Sequence, residues 1–165
     1  MTRPTPDPIR SGQESVWDYP RPPRLERANA HLVVVLGGVT IAETNDAFRV
    51  LETSHPPVYY FPPADVDADA LAPAPGATFC EFKGRASYWS VTGGNQSVAK
   101  GAWSYKVPSP SFAPICDHYA FYPGRMDACT LDGEAVRAQD GDFYGGWITS
   151  RIAGPFKGGP GTRDW

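Results

Sequence analysis

Turn-forming residues recur along this chain and limit it to short secondary-structure elements. Proline and glycine together make up about a fifth of its 165 residues, and both interrupt regular helices. Between them lie about eight to ten short runs that are apolar or alternate between apolar and polar residues, which is typical of strands. We therefore predict a mainly β protein with minor α content, whose short antiparallel strands form a sandwich or a partly open barrel around a pocket.

Two glycine-containing turns predict the principal hairpins. Gly37-Gly38 separates the apolar run HLVVVL from the alternating run VTIAE, a typical hairpin pattern. Gly84-Arg85 divides TFCEFKGRASYWSV in the same way, and the expected pairing places Lys83 opposite Ala86. Asp132-Gly133 predicts a third hairpin turn near the end of the chain.

The remaining segments are predicted from composition. Residues 92–100 are polar and are expected to form a loop, whereas residues 147–152 are expected to form a last strand. Short helical turns are expected at residues 64–71 and 111–116, each of which directly follows a proline.

The first 26 residues differ in character from the rest. They are proline-rich and lack hydrophobic periodicity, so we expect an extended arm, followed by a single β-rich domain at residues 27–165 with a glycine-rich tail. Trp17 and Tyr19 are large aromatic residues within the arm, and we expect them to pack on the body or on a partner subunit. The second of these alternatives would form a homodimer through the arm.

Charge and cysteine content exclude several classes of partner. A net charge of −3 and a pI near 5.5 give no basic footprint for nucleic acid, and no apolar run is long enough for a membrane helix. We therefore expect a cytoplasmic protein with no nucleic-acid or membrane partner. The three cysteines form no CxxC pair, so we predict no metal site, and no motif predicts a cofactor.

The segment Glu52–Pro62, ETSHPPVYYFP, carries the densest set of polar and aromatic groups. Its prolines fix the backbone and favour extended conformation at His55. A histidine beside a carboxylate is a typical acid–base pair, so Glu52 and His55 are candidate catalytic residues. The alternative is that His55 bonds to a backbone carbonyl and only stiffens the turn.

Lys83 is the third candidate catalytic residue. It precedes Gly84 near several aromatic residues, where a lysine can bind an anionic or carbonyl group. Strand alternation places Cys80 on the face away from Lys83, so we expect Cys80 to be a small buried apolar residue. The alternative for Lys83 is a solvated lysine on an edge strand.

Aromatic residues from separate strands are expected to form the walls of the pocket, with tyrosine hydroxyls as polar groups. For Trp103 core packing is favoured, and for Arg125 a pairing with Asp127 is favoured over the binding of a carboxylate. The candidate substrate-binding residues are Tyr59, Tyr60, Tyr88, Tyr105, Tyr122, Arg125 and Trp147.

Several segments resemble a bacterial family of unknown function, numbered 427, which carries a nucleotidyltransferase-like label. They are ESVWDYPRPPRLE, ETSHPPVYYFP, FCEFKGRASYWSV, AWSY and the stretch from HYAFYPGRMD to the tail, so that the resemblance extends from about Glu14 onward. It implies a small, mostly β domain with a tent-like arrangement of sheets over a pocket, and it supplies no catalytic residues. The sequence does not support the nucleotidyltransferase label. It has no paired aspartates for magnesium, and its one lysine-containing glycine-rich stretch, FKGGPGT, lacks the spacing of a phosphate-binding loop.

Two functional hypotheses follow. The first is a cofactor-independent enzyme that performs acid–base chemistry on a small polar or carbonyl-containing metabolite. Glu52 and His55 would move protons, while Lys83 and Arg125 would hold the substrate. The second is a non-catalytic ligand-binding or regulatory module that uses the same pocket. A small-molecule ligand is expected under both hypotheses.

Overall fold

The computed structural model describes residues 3–141 and 143–165. These residues form short strands connected by turns and five short 3-10 helices, and the described strands do not close a barrel. The predicted β class with minor helix, in one compact domain, is confirmed. The strands are β1 (Glu14–Ser15), β2 (Arg24–Arg27), β3 (Leu32–Leu36), β4 (Val39–Thr44), β5 (Phe48–Leu51), β6 (Val58–Tyr60), β7 (Leu71–Cys80), β8 (Gly84–Gly93), β9 (Gln96–Tyr105), β10 (Tyr119–Phe121), β11 (Ala128–Leu131), β12 (Glu134–Ala135), β13 (Arg137–Ala138), β14 (Trp147–Ile148) and β15 (Ile152–Ala153).

Three antiparallel sheets carry most of the structure. Their strand orders are β2-β5-β6, β12-β11-β3-β4 and β10-β9-β8-β7, and two short pairs, β1-β15 and β13-β14, complete the described strands. Phe61 and Tyr119 exchange backbone hydrogen bonds of 2.7 and 2.9 Å, which joins the end of β6 to the start of β10. The central segment therefore lies where two sheets meet.

The hairpin predicted at Gly37-Gly38 is confirmed. Leu32, Val34 and Leu36 of β3 are buried, and β3 pairs with β4 across this turn. Gly93 of β8 packs directly against the carbonyl of Leu36, where a Cβ atom would collide with the backbone oxygen. This close approach fixes one sheet against the other.

The hairpin predicted at Gly84-Arg85 is wrong in register. The turn is Glu81–Lys83, so that Cys80 pairs with Gly84 and Ala86 pairs with Thr78. A bulge between Ala74 and Ala77 shifts the pairing further, and local turn propensity does not disclose such a bulge. The polar loop expected at residues 92–100 is also wrong, because β8 and β9 extend through most of it.

Helical turns occur close to the predicted places. The 3-10 helices are Val16–Asp18, Pro63–Asp65, Ala68–Ala70, Pro110–Ile115 and Pro123–Arg125. The last strand expected at residues 147–152 is instead the two short strands β14 and β15 with a turn between them. None of the helices in the described part of the chain has the length and apolar character needed to cross a membrane.

The N-terminal arm docks on its own chain. Trp17 and Tyr19 are buried in a cluster with Leu51 and Ile152, and the Trp17 indole donates a 2.9 Å hydrogen bond to the carbonyl of Pro155. Arg24–Arg27 already forms β2 and pairs with β5, so the irregular arm ends before Arg24. Dimerisation through the arm stays a prediction.

A candidate small-molecule pocket

A cavity of about 240 Å³ opens beside the central segment. Its walls come from β5 to β9, from the loop that follows β13 and from the C-terminal tail. The side chains and backbone that line it belong to Val50, Glu52, His55, Pro56, Val58, Tyr60, Thr78, Phe79, Cys80, Lys83, Ala86, Tyr88, Trp103, Tyr105, Tyr122, Gln139, Phe143, Tyr144, Gly145 and Lys157.

The structure brings together most of the residues that the sequence singled out. All three candidate catalytic residues and four of the candidate wall residues line this cavity. They are Glu52, His55, Lys83, Tyr60, Tyr88, Tyr105 and Tyr122. Elements distant in sequence therefore bring these groups to a single place. Their roles stay predictions.

Tyr59 and Trp147 lie on the opposite side of β6, so their expected place in the same pocket is wrong. They line a second cavity of about 210 Å³, together with Arg49 and Pro57. Successive residues of a strand point to opposite faces, so Tyr60 and Tyr59 cannot share one wall. Because Pro56 and Val58 line one cavity and Pro57 lines the other, the alternation extends back from β6 to Pro56.

Arg125 is likewise not part of the cavity lining. Its guanidinium lies 4.1 Å from the centre of the Tyr122 ring and donates a 2.7 Å hydrogen bond to the carbonyl of Lys100. The short helix Pro123–Arg125 carries this residue past the end of β10. Asp127, the predicted pairing partner, accepts instead from the backbone of Gly37 and from Gln96.

Gln139 fixes the protonation pattern of the His55 ring. Its Oε1 accepts a hydrogen bond from the backbone N–H of Gly146 at 3.1 Å, so its other terminal atom is the amide nitrogen. That nitrogen donates to the carbonyl of Lys157 at 2.7 Å and to Nδ1 of His55 at 3.3 Å. Nδ1 is therefore the acceptor, and the proton of the neutral ring resides on Nε2.

Two glycines allow the loop that carries this arrangement to close. A Cβ atom on Gly146 would lie 2.7 Å from the Pro56 ring, and one on Gly145 would collide with the indole of Trp103. Glycine at both positions lets the backbone approach these two side chains closely. Gln139 is thereby buried against His55, with only 4% of its surface exposed.

Burial and nearby cations keep the His55 ring neutral. Desolvation first, and then Lys157, Arg21 and Lys83, lower its pKa from 6.5 to about 3. The Glu52 carboxylate lies 3.7 Å from Nε2 and acts in the other direction, but a single partly exposed carboxylate does not outweigh the loss of water and three positive charges. At neutral pH the ring is therefore a hydrogen-bond donor through Nε2, close to Glu52.

Glu52 and Lys83 differ in how they are held. Glu52 is 23% exposed and forms an ion pair with Arg21 at 3.4 Å. Lys83 lies in the turn between β7 and β8, and its ammonium has no hydrogen bond or ion pair with another residue that the structure describes. The cavity thus has an oriented carboxylate and a cation whose hydrogen-bonding capacity is unused.

The tyrosine hydroxyls remain protonated and act as neutral polar groups. Burial raises the pKa of Tyr60, Tyr105 and Tyr122 well above the usual range. Tyr60 accepts from the Trp103 indole at 3.3 Å, and the hydroxyls of Tyr88 and Thr78 lie 2.9 Å apart. The walls therefore offer hydrogen bonds without adding charge.

Sequence reasoning missed several lining residues. Gln139 lies outside the motifs that the sequence analysis singled out, and no local pattern marks it. Lys157 belongs to FKGGPGT, which we considered only as a phosphate site. Trp103 was expected in the core and lines the cavity as well. The expectation for Cys80 is wrong, because the altered turn places it in the same cavity as Lys83.

Within residues 3–141 and 143–165, histidine, cysteine and acidic side chains nowhere gather in groups of three or more that could hold an ion.

The family model described as a domain of unknown function (DUF427) matches residues 24–132, so the chain belongs to that family. The match is shorter at both ends than the resemblance noted above. It includes Glu52, His55 and Lys83 but ends before Gln139 and Lys157, which complete the cavity. A search of curated proteins found no match.

Proposed function

We propose that this member of the DUF427 family is an enzyme that performs acid–base chemistry on a small polar or carbonyl-containing metabolite with its own side chains. One observation carries the proposal: a neutral histidine, fixed by Gln139 as a donor through Nε2, lies 3.7 Å from a carboxylate inside a cavity. Such a pair offers a base and a hydrogen-bond donor to one bound molecule.

Glu52 is the proton acceptor in this proposal. Its carboxylate lies at the cavity wall and is held in an ion pair with Arg21 at 3.4 Å. His55 cannot accept a proton at Nδ1 while Gln139 donates there, and its Nε2 already carries one. His55 therefore donates a hydrogen bond to a substrate oxygen, where negative charge develops as Glu52 removes a proton from the neighbouring carbon.

Lys83 provides a positive group for the substrate, beside the neutral donor of His55. Its ammonium is a compact charge on a flexible stem, and it has no partner among the described residues. Together with the aromatic walls it would position a small carbonyl compound between Glu52 and His55. Phe79, which also lines the cavity, is 77% exposed.

A non-catalytic ligand-binding module is the second candidate, and the Arg21–Glu52 ion pair favours it. The Glu52 carboxylate already has a cationic partner at 3.4 Å, and a paired carboxylate commonly serves to hold other groups in position. The same groups would then bind a ligand without removing a proton from it.

Proton exchange in D₂O tests the two candidates. The purified protein is incubated with a panel of α-keto acids, aldehydes and hydroxyketones, and each compound is examined by mass spectrometry for deuterium uptake or conversion. An enzyme should label or convert at least one compound, and Glu52→Gln should lower that rate by about 100-fold or more.

Glu43→Gln is the matched control. Glu43 also contacts a histidine, His31, at 2.7 Å, but this pair is on an exposed face outside the cavity. The control should retain full activity. Compounds that raise the melting temperature of the wild type and of Glu52→Gln equally, with no deuterium uptake in either, would refute catalysis and support the binding module.

A further inference from the structure

The cavity combines an excess of positive charge with uncharged polar walls. Three cations, Lys157, Arg21 and Lys83, act on the His55 ring, whereas among the residues that the structure describes Glu52 is the one carboxylate in the cavity lining. Arg21 is paired with Glu52, and Lys157 donates to the carbonyl of Trp165 at 3.1 Å. The ammonium of Lys83 is left with no counter-charge among the described residues.

Flat side chains dominate the walls. Eight lining residues are aromatic, and two of them, Trp103 and Tyr122, lie with their ring centres 4.6 Å apart. Aromatic walls favour a flat guest, which can stack against one ring and meet the edge of another. A saturated ring or a branched chain would make fewer such contacts.

The size of the cavity limits the guest. At about 30 Å³ for each water molecule, a volume of 240 Å³ holds about eight waters, or a molecule of about ten non-hydrogen atoms. This is below the usual range of about 300–1,000 Å³ for cofactor and drug-sized sites. The volume therefore favours a guest smaller than a nucleotide.

We infer that the cavity binds a small planar carboxylate, such as an aromatic or conjugated acid, with the carboxylate at Lys83 and the flat body between the aromatic walls. A carboxylate supplies the missing counter-charge for one ammonium and can also accept a hydrogen bond from a tyrosine hydroxyl. This inference rests on the proposed function, because it names the class of molecule that the same pocket accepts.

Calorimetric titration with three probes separates charge from shape. Benzoate is planar and anionic, benzamide is planar and neutral, and cyclohexanecarboxylate is anionic and not planar. We expect benzoate to bind at least about tenfold more tightly than either of the others. Lys83→Met should remove the advantage over benzamide, while the advantage over cyclohexanecarboxylate should remain.

Lys106→Met is the matched control, because Lys106 is an exposed lysine that lies over Trp89 outside the cavity. It should leave all three affinities unchanged. Equal binding of benzoate and benzamide, an unchanged preference in Lys83→Met, or no benzoate binding at millimolar concentration would each overturn the inference.

Each of the two proposals can be refuted independently of the other. Benzoate binding with the expected preferences but no deuterium uptake in any compound would leave the ligand class standing and refute catalysis. Deuterium uptake that depends on Glu52, with no preference for benzoate, would refute the ligand class and leave catalysis standing.

Discussion

Acidification should destabilise this protein through His55. Its pKa is lowered from 6.5 to about 3 in the folded chain by burial and by the cations Lys157, Arg21 and Lys83, with Glu52 as the opposing charge. Between those values the unfolded chain binds more protons than the folded one, so the free energy of unfolding falls as the pH falls. The free energy of unfolding therefore has its full value above about pH 6.5, and His55 lowers it progressively as the pH falls toward 3.

The size of the effect follows from these two pKa values. At about 1.4 kcal/mol for each pKa unit, protonation of His55 in the unfolded chain costs the fold about 2 kcal/mol at pH 5 and about 3 kcal/mol at pH 4. That is a large part of the stability of a typical single domain, about 5–15 kcal/mol.

Urea unfolding measured by tryptophan fluorescence from about pH 7 to pH 4 checks this prediction. Acidic groups whose pKa values are lowered in the folded chain, such as Asp132 and Glu134, also destabilise the protein when they are protonated in acid. The informative quantity is therefore the difference between the wild type and His55→Gln. The wild type should lose about 3 kcal/mol more than the variant by pH 4.

His31→Gln is the control, since His31 is a surface residue beside Glu43, and it should retain the acid dependence of the wild type. If the wild type and His55→Gln lose stability in parallel, the reasoning is wrong. NMR titration of the His55 ring provides a second test that does not depend on the variant folding, and a folded-state pKa near 6.5 would also refute a buried neutral ring.

Three further outcomes follow from the structure. Trp17→Ala should cost about 3–5 kcal/mol of unfolding free energy in the same urea assay. Ile9→Ala, at a side chain that is 56% exposed, should cost almost nothing. Equal effects of the two substitutions would mean that the arm is not docked. Gly93→Ala should lower the melting temperature by several degrees, because its Cβ would meet the Leu36 carbonyl. Gly38→Asn, in an open turn with φ of +76°, should be tolerated. An unchanged melting temperature in Gly93→Ala would contradict the close contact between the sheets. Elemental analysis should find no stoichiometric transition metal, and about one zinc per chain would overturn that expectation.

The sequence alone determined the class of fold and the segment around which the pocket forms. Alternation of apolar residues specified β3 and β4, and Gly37-Gly38 specified their turn, because both signals act over a few neighbouring residues. The prolines around His55 likewise act locally on the backbone. The three candidate catalytic residues could be selected from such local patterns.

Only the tertiary structure decided which side chains share the cavity. The three-residue turn Glu81–Lys83 between β7 and β8 placed Cys80 in the same cavity as Lys83, and the alternation of β6 separated Tyr59 from Tyr60. Gln139 lies 84 positions from His55 in the chain, and nothing near either residue encodes that hydrogen bond. Long-range packing, which depends on how the sheets meet, therefore fixes the state of the histidine on which the proposed function depends.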